Sequence, residues 1–149
     1  MDRVSELVEL MINKPSSSYA GFDHLTLDAL IRHNWNTGQW VILTGSDNEL
    51  YGWLGWMALD DKSLEVIKED GLIQCIRSEF ILWPGNHIYY THCITSPDAP
   101  RNTYRRLRIL AEARNPEAQS FNAHLINRRG RVRWYSREGK HHGNQPGRR

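Results

Sequence analysis

The sequence predicts an α/β domain, and three stretches carry that expectation. Val4, Leu7, Val8, Met11 and Ile12 recur at the i, i+3, i+4, i+7 and i+8 spacing of one buried helical stripe. Gln39–Thr44 and Leu50–Leu59 are apolar runs parted by Gly45, Ser46, Asp47, Asn48 and Glu49, a composition suited to a hairpin turn. From His87 to Arg114 the chain reads strand, proline-bounded loop and basic helix, and the other elements are organised around this stretch.

In chain order, the first helix spans residues 2–13 and stops before Pro15, which cannot continue it. Ser16 to Gly21 make a loop, and a second helix runs from about Thr26 to near Asn34 with Leu27, Leu30 and Ile31 facing inward. The two strands of the hairpin should pair antiparallel. In the second of them Gly52 and Gly55 interleave with Trp53 and Trp56; glycine weakens a strand, so its presence marks a bulge, aromatic packing, or the close approach of another chain or ligand. Asp60, Asp61 and Ser63 offer caps for a helix through Asp70, which Gly71 terminates. Leu72, Ile76, Phe80 and Trp83 keep helical spacing, so Leu72–Trp83 is read as a second helical piece.

Ile88, Tyr89, Tyr90, Thr91, Cys93, Ile94 and Thr95 are the aromatic and β-branched residues of a central strand, and Pro97 and Pro100 end it near Ser96. Asn102 or Thr103 then caps a helix that places Tyr104, Leu107, Leu110 and Ala111 on one face. Arg101, Arg105, Arg106 and Arg108 crowd its start, where free N–H groups and the macrodipole are already positive. A bound anion, most simply a phosphate, relieves that conflict; a solvated basic face paired with carboxylates is the other reading. Ser120–Ile126 and Arg131–Ser136 flank Asn127, Arg128, Arg129 and Gly130 as a second hairpin. Gly139–Arg149 is glycine-rich, polar and basic, and is expected to be a disordered tail in which His141 and His142 are solvated.

The 149 residues suffice for one cored domain over 1–138. Cys75 and Cys93 have no metal-ligand spacing, so free thiols in a reducing compartment are expected and no metal site is. The sequence has no apolar run of membrane-spanning length and no charged-then-apolar leader, which points to a soluble cytoplasmic protein. The formal net charge of +2 hides an asymmetry. Residues 1–100 carry 6 Lys/Arg against 14 Asp/Glu, whereas residues 101–149 carry 13 against 3. So uneven a distribution suits a localised anionic partner better than a uniform nucleic-acid coat.

The element order resembles that of the GCN5-related N-acetyltransferases. Ile88–Pro97 followed by Arg101–Ala113 looks like the strand and helix that hold the acyl carrier's pyrophosphate in that superfamily, and the hairpin Gln39–Leu59 and the closing strands with Arg131, Arg133 and Tyr135 also fit. The stretches QWVILTGSDNELYGWLGWMAL and WPGNHIYYTHCITSP are similar, within the superfamily, to bacterial toxin-activating lysine-acyltransferases. The resemblance implies a mixed, largely antiparallel sheet with helices on both faces. It implies transfer of an acyl group from acyl-CoA or an acyl carrier protein to an amine on a protein or small molecule. It assigns the carrier to Ile94, Thr95, Arg101, Asn102, Thr103, Arg105 and Arg106. The superfamily's phosphate loop carries glycines, and Pro100–Arg106 has none.

Acyl transfer to an amine needs a base and an acid for the leaving thiol. His92, in the central strand, and His24, matching the toxin-activating group's histidine near the second helix, are the candidate bases, with Asp60 behind them. Tyr135 or Tyr104 is the candidate acid. No serine or cysteine stands in a recognisable nucleophile motif, which argues against covalent catalysis. The alternative reading is a non-catalytic structural or assembly protein that binds nucleic acid or a protein partner through its basic C-terminal third.

Overall fold

A computed structural model describes residues 2–13, 24–126 and 129–140. The elements are α1 (Arg3–Asn13), α2 (His24–Thr37), β1 (Trp40–Thr44), β2 (Leu50–Leu59), α3 (Asp61–Asp70), α4 (Leu72–Arg77), β3 (His87–Thr95), α5 (Thr103–Arg114), β4 (Ser120–Ile126) and β5 (Val132–Glu138). The strands form one five-stranded sheet in the order β1-β2-β3-β4-β5. It is mostly antiparallel, with β3 and β4 parallel. The expected loop Ser16–Gly21, the turn residues Asn127 and Arg128, and the tail from His141 lie outside the described residues.

Contacts divide the chain into two units, one of residues 1–55 and 92–113, the other of residues 56–91 and 114–149. In the first, the helical stripe read from the sequence is the buried face of α1: Val4, Leu7, Val8 and Met11 pack with Leu27 and Ile31 of α2, Leu50 and Trp53 of β2, and Ile94 of β3. The hairpin pairs Trp40 with Gly55 through Leu43 with Gly52, and its register shifts between Leu43 and Thr44. The two strand glycines are places of close approach within the chain itself. A Cβ at Gly52 would lie 2.8 Å from Leu107 Cδ1 and Thr103 Cγ2, and one at Gly55 would lie 3.2 Å from the Asn34 amide.

In the second unit, Asp60 caps α3 by accepting from the Ser63 N–H at 2.8 Å. Gly71, at φ 83°, lets the chain leave α3 and enter α4 at once. The helix expected over Leu72–Trp83 is shorter: it ends at Arg77, and Glu79 takes φ 56°. The apolar spacing misleads there because only Leu72 and Cys75 are buried on α4, while Ile76, Ile81 and Trp83 are exposed. β3 pairs with β4 over His87↔Ser120 to Tyr89↔Asn122, and β4 pairs with β5 along its whole length, Ser120↔Glu138 to Ile126↔Val132.

Gly85 fixes where β2 ends and α3 begins. Asp60 N–H donates to the Trp83 carbonyl at 3.0 Å, and a Cβ at Gly85 would come within 2.5 Å of Asp60 N, Asp60 Cα and Leu59 O. These are backbone atoms that cannot swing aside. Gly85→Ala is therefore expected to destabilise the protein by about 3 kcal/mol, at the upper end of overpacking effects, as measured by urea unfolding.

Candidate active site

The start of α5 belongs to the first unit. Thr103 N–H donates to the Pro100 carbonyl at 3.1 Å and Arg106 N–H to the Asn102 carbonyl at 3.0 Å, so the proline-bounded loop turns directly into the helix. Arg101, Asn102, Arg105 and Arg106 are exposed around this turn, and the first turn of α5 holds no acidic residue. Thr103 is 1 % exposed, and its hydroxyl has no hydrogen-bond partner among the described residues. Thr103 is the first residue of α5, one position past the cap residue Asn102, whose carbonyl accepts from Arg106 N–H. The Ser96 hydroxyl, in the same loop, is likewise buried and unpartnered among them, while Ser96 N–H donates to the Tyr51 carbonyl at 2.9 Å. Ile94 is buried at the end of β3, and Thr95 is half-buried.

The two candidate bases of this unit lie in opposite environments. His24 is exposed at the first position of α2. His92 is 1 % exposed, and desolvation by burial lowers its pKa from 6.5 to about 3, so the imidazole is held neutral. The strand histidine expected to meet substrate is a core residue. A base must reach the proton it removes, and burial of this degree withholds His92 from an arriving amine. Tyr104 is partly exposed, its ring 5.8 Å from the Arg108 guanidinium carbon.

In the second unit, Asp60 is taken up as the α3 cap, and the Ser63 N–H holds its carboxyl below the usual range. Tyr135 lies half-buried on β5, opposite Ala123. The same unit contains a cavity of about 280 Å³, whose lining includes Leu64, Lys68, His87, Ser120, Asn122 and Trp134. Two of its lining residues, His87 and Ser120, belong to a chain of hydrogen bonds that the sequence did not reveal and that reaches the exposed Asp61 side chain. His87 Nδ1 lies 2.7 Å from Ser120 Oγ, and His87 Nε2 bonds to the Asp61 carboxylate. Ser120 stands 33 positions from His87, and Asp61 26. The pairing of His87 with Ser120 at the first positions of two parallel strands creates the contact. The one sequence signal was that both expected strands begin near these residues.

Among the described residues, no group of His, Cys, Asp and Glu side chains could hold a metal ion, and no helix is long and apolar enough to cross a membrane. No protein-family model and no curated protein matches the chain. Among solved structures it is similar to the crystal structure of Chaetomium thermophilum Naa20 in complex with a bisubstrate analogue. The TM-score is 0.59 and the identity 10%, over 97% of this chain and 86% of that one. The mixed sheet and its helices thus have the fold of a GCN5-related N-acetyltransferase, the kind of protein that Naa20 is.

Proposed function

We propose that the chain is an acyltransferase that draws an acyl group from a phosphate-bearing carrier, acyl-CoA or an acyl carrier protein, and passes it to an amine. The fold likeness to an N-acetyltransferase supports transfer chemistry in general. The observation that carries the carrier site is Thr103: a buried hydroxyl without a partner among the described residues, at a helix start lined by arginines and lacking any acid in its first turn. Buried hydroxyls are paired as a rule, so this one fits a ligand oxygen. The carrier would supply the thioester from which the acyl group moves.

The manner of binding follows from what the loop lacks. The loop has no glycines, and Thr103 and Arg106 N–H are already committed to Pro100 and Asn102, which favours side chains as phosphate donors in this reading. The guanidinium groups of Arg101, Arg105 and Arg106 take that part, with Asn102 and the Thr103 hydroxyl beside them and Ile94 and Thr95 at the preceding strand end. In this reading His24, open to solvent, accepts the amine's proton.

Binding held by exposed guanidinium groups weakens with salt, because charges at the surface are screened over roughly 8–10 Å. Calorimetric titration with acetyl-CoA, a longer acyl-CoA and an acyl carrier protein is expected to give micromolar binding to one of them. Affinity should fall about tenfold or more in the Arg101→Ala/Arg105→Ala variant, and also as ionic strength rises. Binding of none of the three by the folded protein would sink the proposal.

A further inference from the structure

We propose that Ser120, His87 and Asp61 form a second centre, nucleophilic rather than carrier-dependent, that opens small carboxylic esters in the cavity beside α3, β4 and β5. It does not rest on the carrier site at α5, and its test needs no acyl-CoA.

The hydrogen bonds are consistent with one proton arrangement, which follows from the groups that can only donate or only accept. The Asn122 side chain, 1 % exposed, donates its NH2 group both to the Ile88 carbonyl at 3.0 Å and to Ser120 Oγ at 2.8 Å. Its carbonyl oxygen accepts from the Ser136 hydroxyl at 2.7 Å. The amide is therefore fully used, and Ser120 Oγ is an acceptor toward Asn122. Its own hydrogen remains to be donated, and His87 Nδ1 lies 2.7 Å away. The Asp61 carboxylate only accepts, so Nε2 is the N–H that donates to it, and in the neutral ring Nδ1 is then the acceptor facing Ser120. A lone pair aimed at a hydroxyl, with the opposite ring nitrogen tied to a carboxylate, is the arrangement that turns serine into a nucleophile.

Local structure places each member, with the Asp61 side chain on the solvent side. Asp61 is the first residue of α3, where the helix dipole favours a carboxylate, and the Asp60 cap fixes that turn. His87 and Ser120 open the two parallel strands as register partners. The cavity supplies apolar walls in Leu64 and Trp134 and an ammonium in Lys68, which lies 5.9 Å from the Trp134 ring centre. Lys68 is the group suited to a developing oxyanion. A volume of about 280 Å³ is at the small end of ligand pockets, which limits the acyl group to a short one.

The step balances within these residues. Ser120 Oγ bonds to the ester carbonyl carbon as its proton passes to His87 Nδ1. The carbonyl carbon–alkoxy oxygen bond then breaks, and His87 returns the proton to the leaving alcohol. Water, deprotonated by His87, attacks the acyl-serine; the Ser120 oxygen leaves and regains the proton, and the carboxylic acid departs. Ser120 and His87 are the catalytic residues, and Asp61 and Asn122 position them.

The experiment is to treat the full chain with an alkyl fluorophosphonate, which forms an Oγ–phosphorus bond and expels fluoride, and to locate the adduct by peptide mass spectrometry. The expected result is an adduct on Ser120. Labelling should be slower by on the order of 100-fold or more in His87→Asn, slowed in Asp61→Asn, and restored in Asp61→Glu. p-Nitrophenyl acetate hydrolysis should follow the same order. Three results would each overturn the proposal: a folded wild-type chain with Ser120 unmodified, His87→Asn labelled at the wild-type rate, or Asp61→Asn labelled as fast as wild type.

Discussion

Replacing Trp53 by alanine is expected to lower the unfolding free energy by about 3–5 kcal/mol, the range for truncating a large buried aromatic. Trp53 is fully buried in the core that α1 and α2 share with β2. Its ring stacks on Trp40, with centres 4.7 Å apart, and on Trp35 at 5.6 Å; Trp35 and Trp40 stack at 4.6 Å and are also tied by a 3.2 Å bond from Trp40 Nε1 to the Trp35 carbonyl. Removing the indole thus takes away apolar area, stacking and the support of two neighbours together. Trp53→Phe separates these contributions. Trp53 Nε1 is buried without a hydrogen-bond partner among the described residues, which carries a desolvation penalty of roughly 1–3 kcal/mol. Phenylalanine loses stacking area but also removes that stranded donor, so its loss should be less than half that of alanine. Urea unfolding of both variants checks the pair. Equal losses would mean that the indole N–H is satisfied in solution.

Acid is expected to weaken the fold well before the carboxylates titrate. The unfolded chain protonates His92 near its ordinary value of 6.5, whereas the folded chain, with the ring buried, does so only at about 3. Between those values the unfolded state binds the extra proton, so stability is fully present above pH 6.5 and falls as pH drops toward 3. At about 1.4 kcal/mol per unit, lowering the pH from 6.5 to 5 removes about 2 kcal/mol. Asp2, Glu49 and Asp60 are all held below their ordinary carboxylate values by hydrogen bonds, so their own losses set in at lower pH. His92→Gln should flatten the dependence between pH 6.5 and 5, read as the urea midpoint at each pH. A slope unchanged in the variant would place the effect on other groups.

Much of the architecture was legible because local signals agreed with tertiary need. The α1 stripe became the core face without a shift in register, and the turn around Asp47 and Asn48 formed where polar residues interrupted two apolar runs, with Asn48 at φ 61°. α4 shows where such signals fail. Periodicity reports spacing, not burial, and a left-handed Glu79 ended a pattern that Phe80 and Trp83 only appeared to extend. Candidate-site residues divided in the same way. The arginines and Thr103 of α5 lie together because they are neighbours in the chain. Ser120, His87 and Asp61 meet through strand pairing and the placement of α3, and no local pattern encodes either. The burial of His92 was equally unreadable, since a strand histidine faces solvent or core according to partners far away in sequence.

The two units are interleaved along the chain, and that has a consequence for biogenesis. The first unit awaits residues 92–113, which include α5, and the second awaits residues 114–149, which include β4 and β5. A chain growing from its N-terminus therefore cannot finish the first unit before the whole opening segment of the second, residues 56–91, has left the ribosome. Until α5 emerges, Gly52 has neither Leu107 nor Thr103 to close against, and the half-built sheet shows an open strand edge. A nascent chain stalled after residue 91 holds the α1–α2 pair and the first hairpin but lacks the segment that completes either unit. It should be the form most readily captured by chaperones.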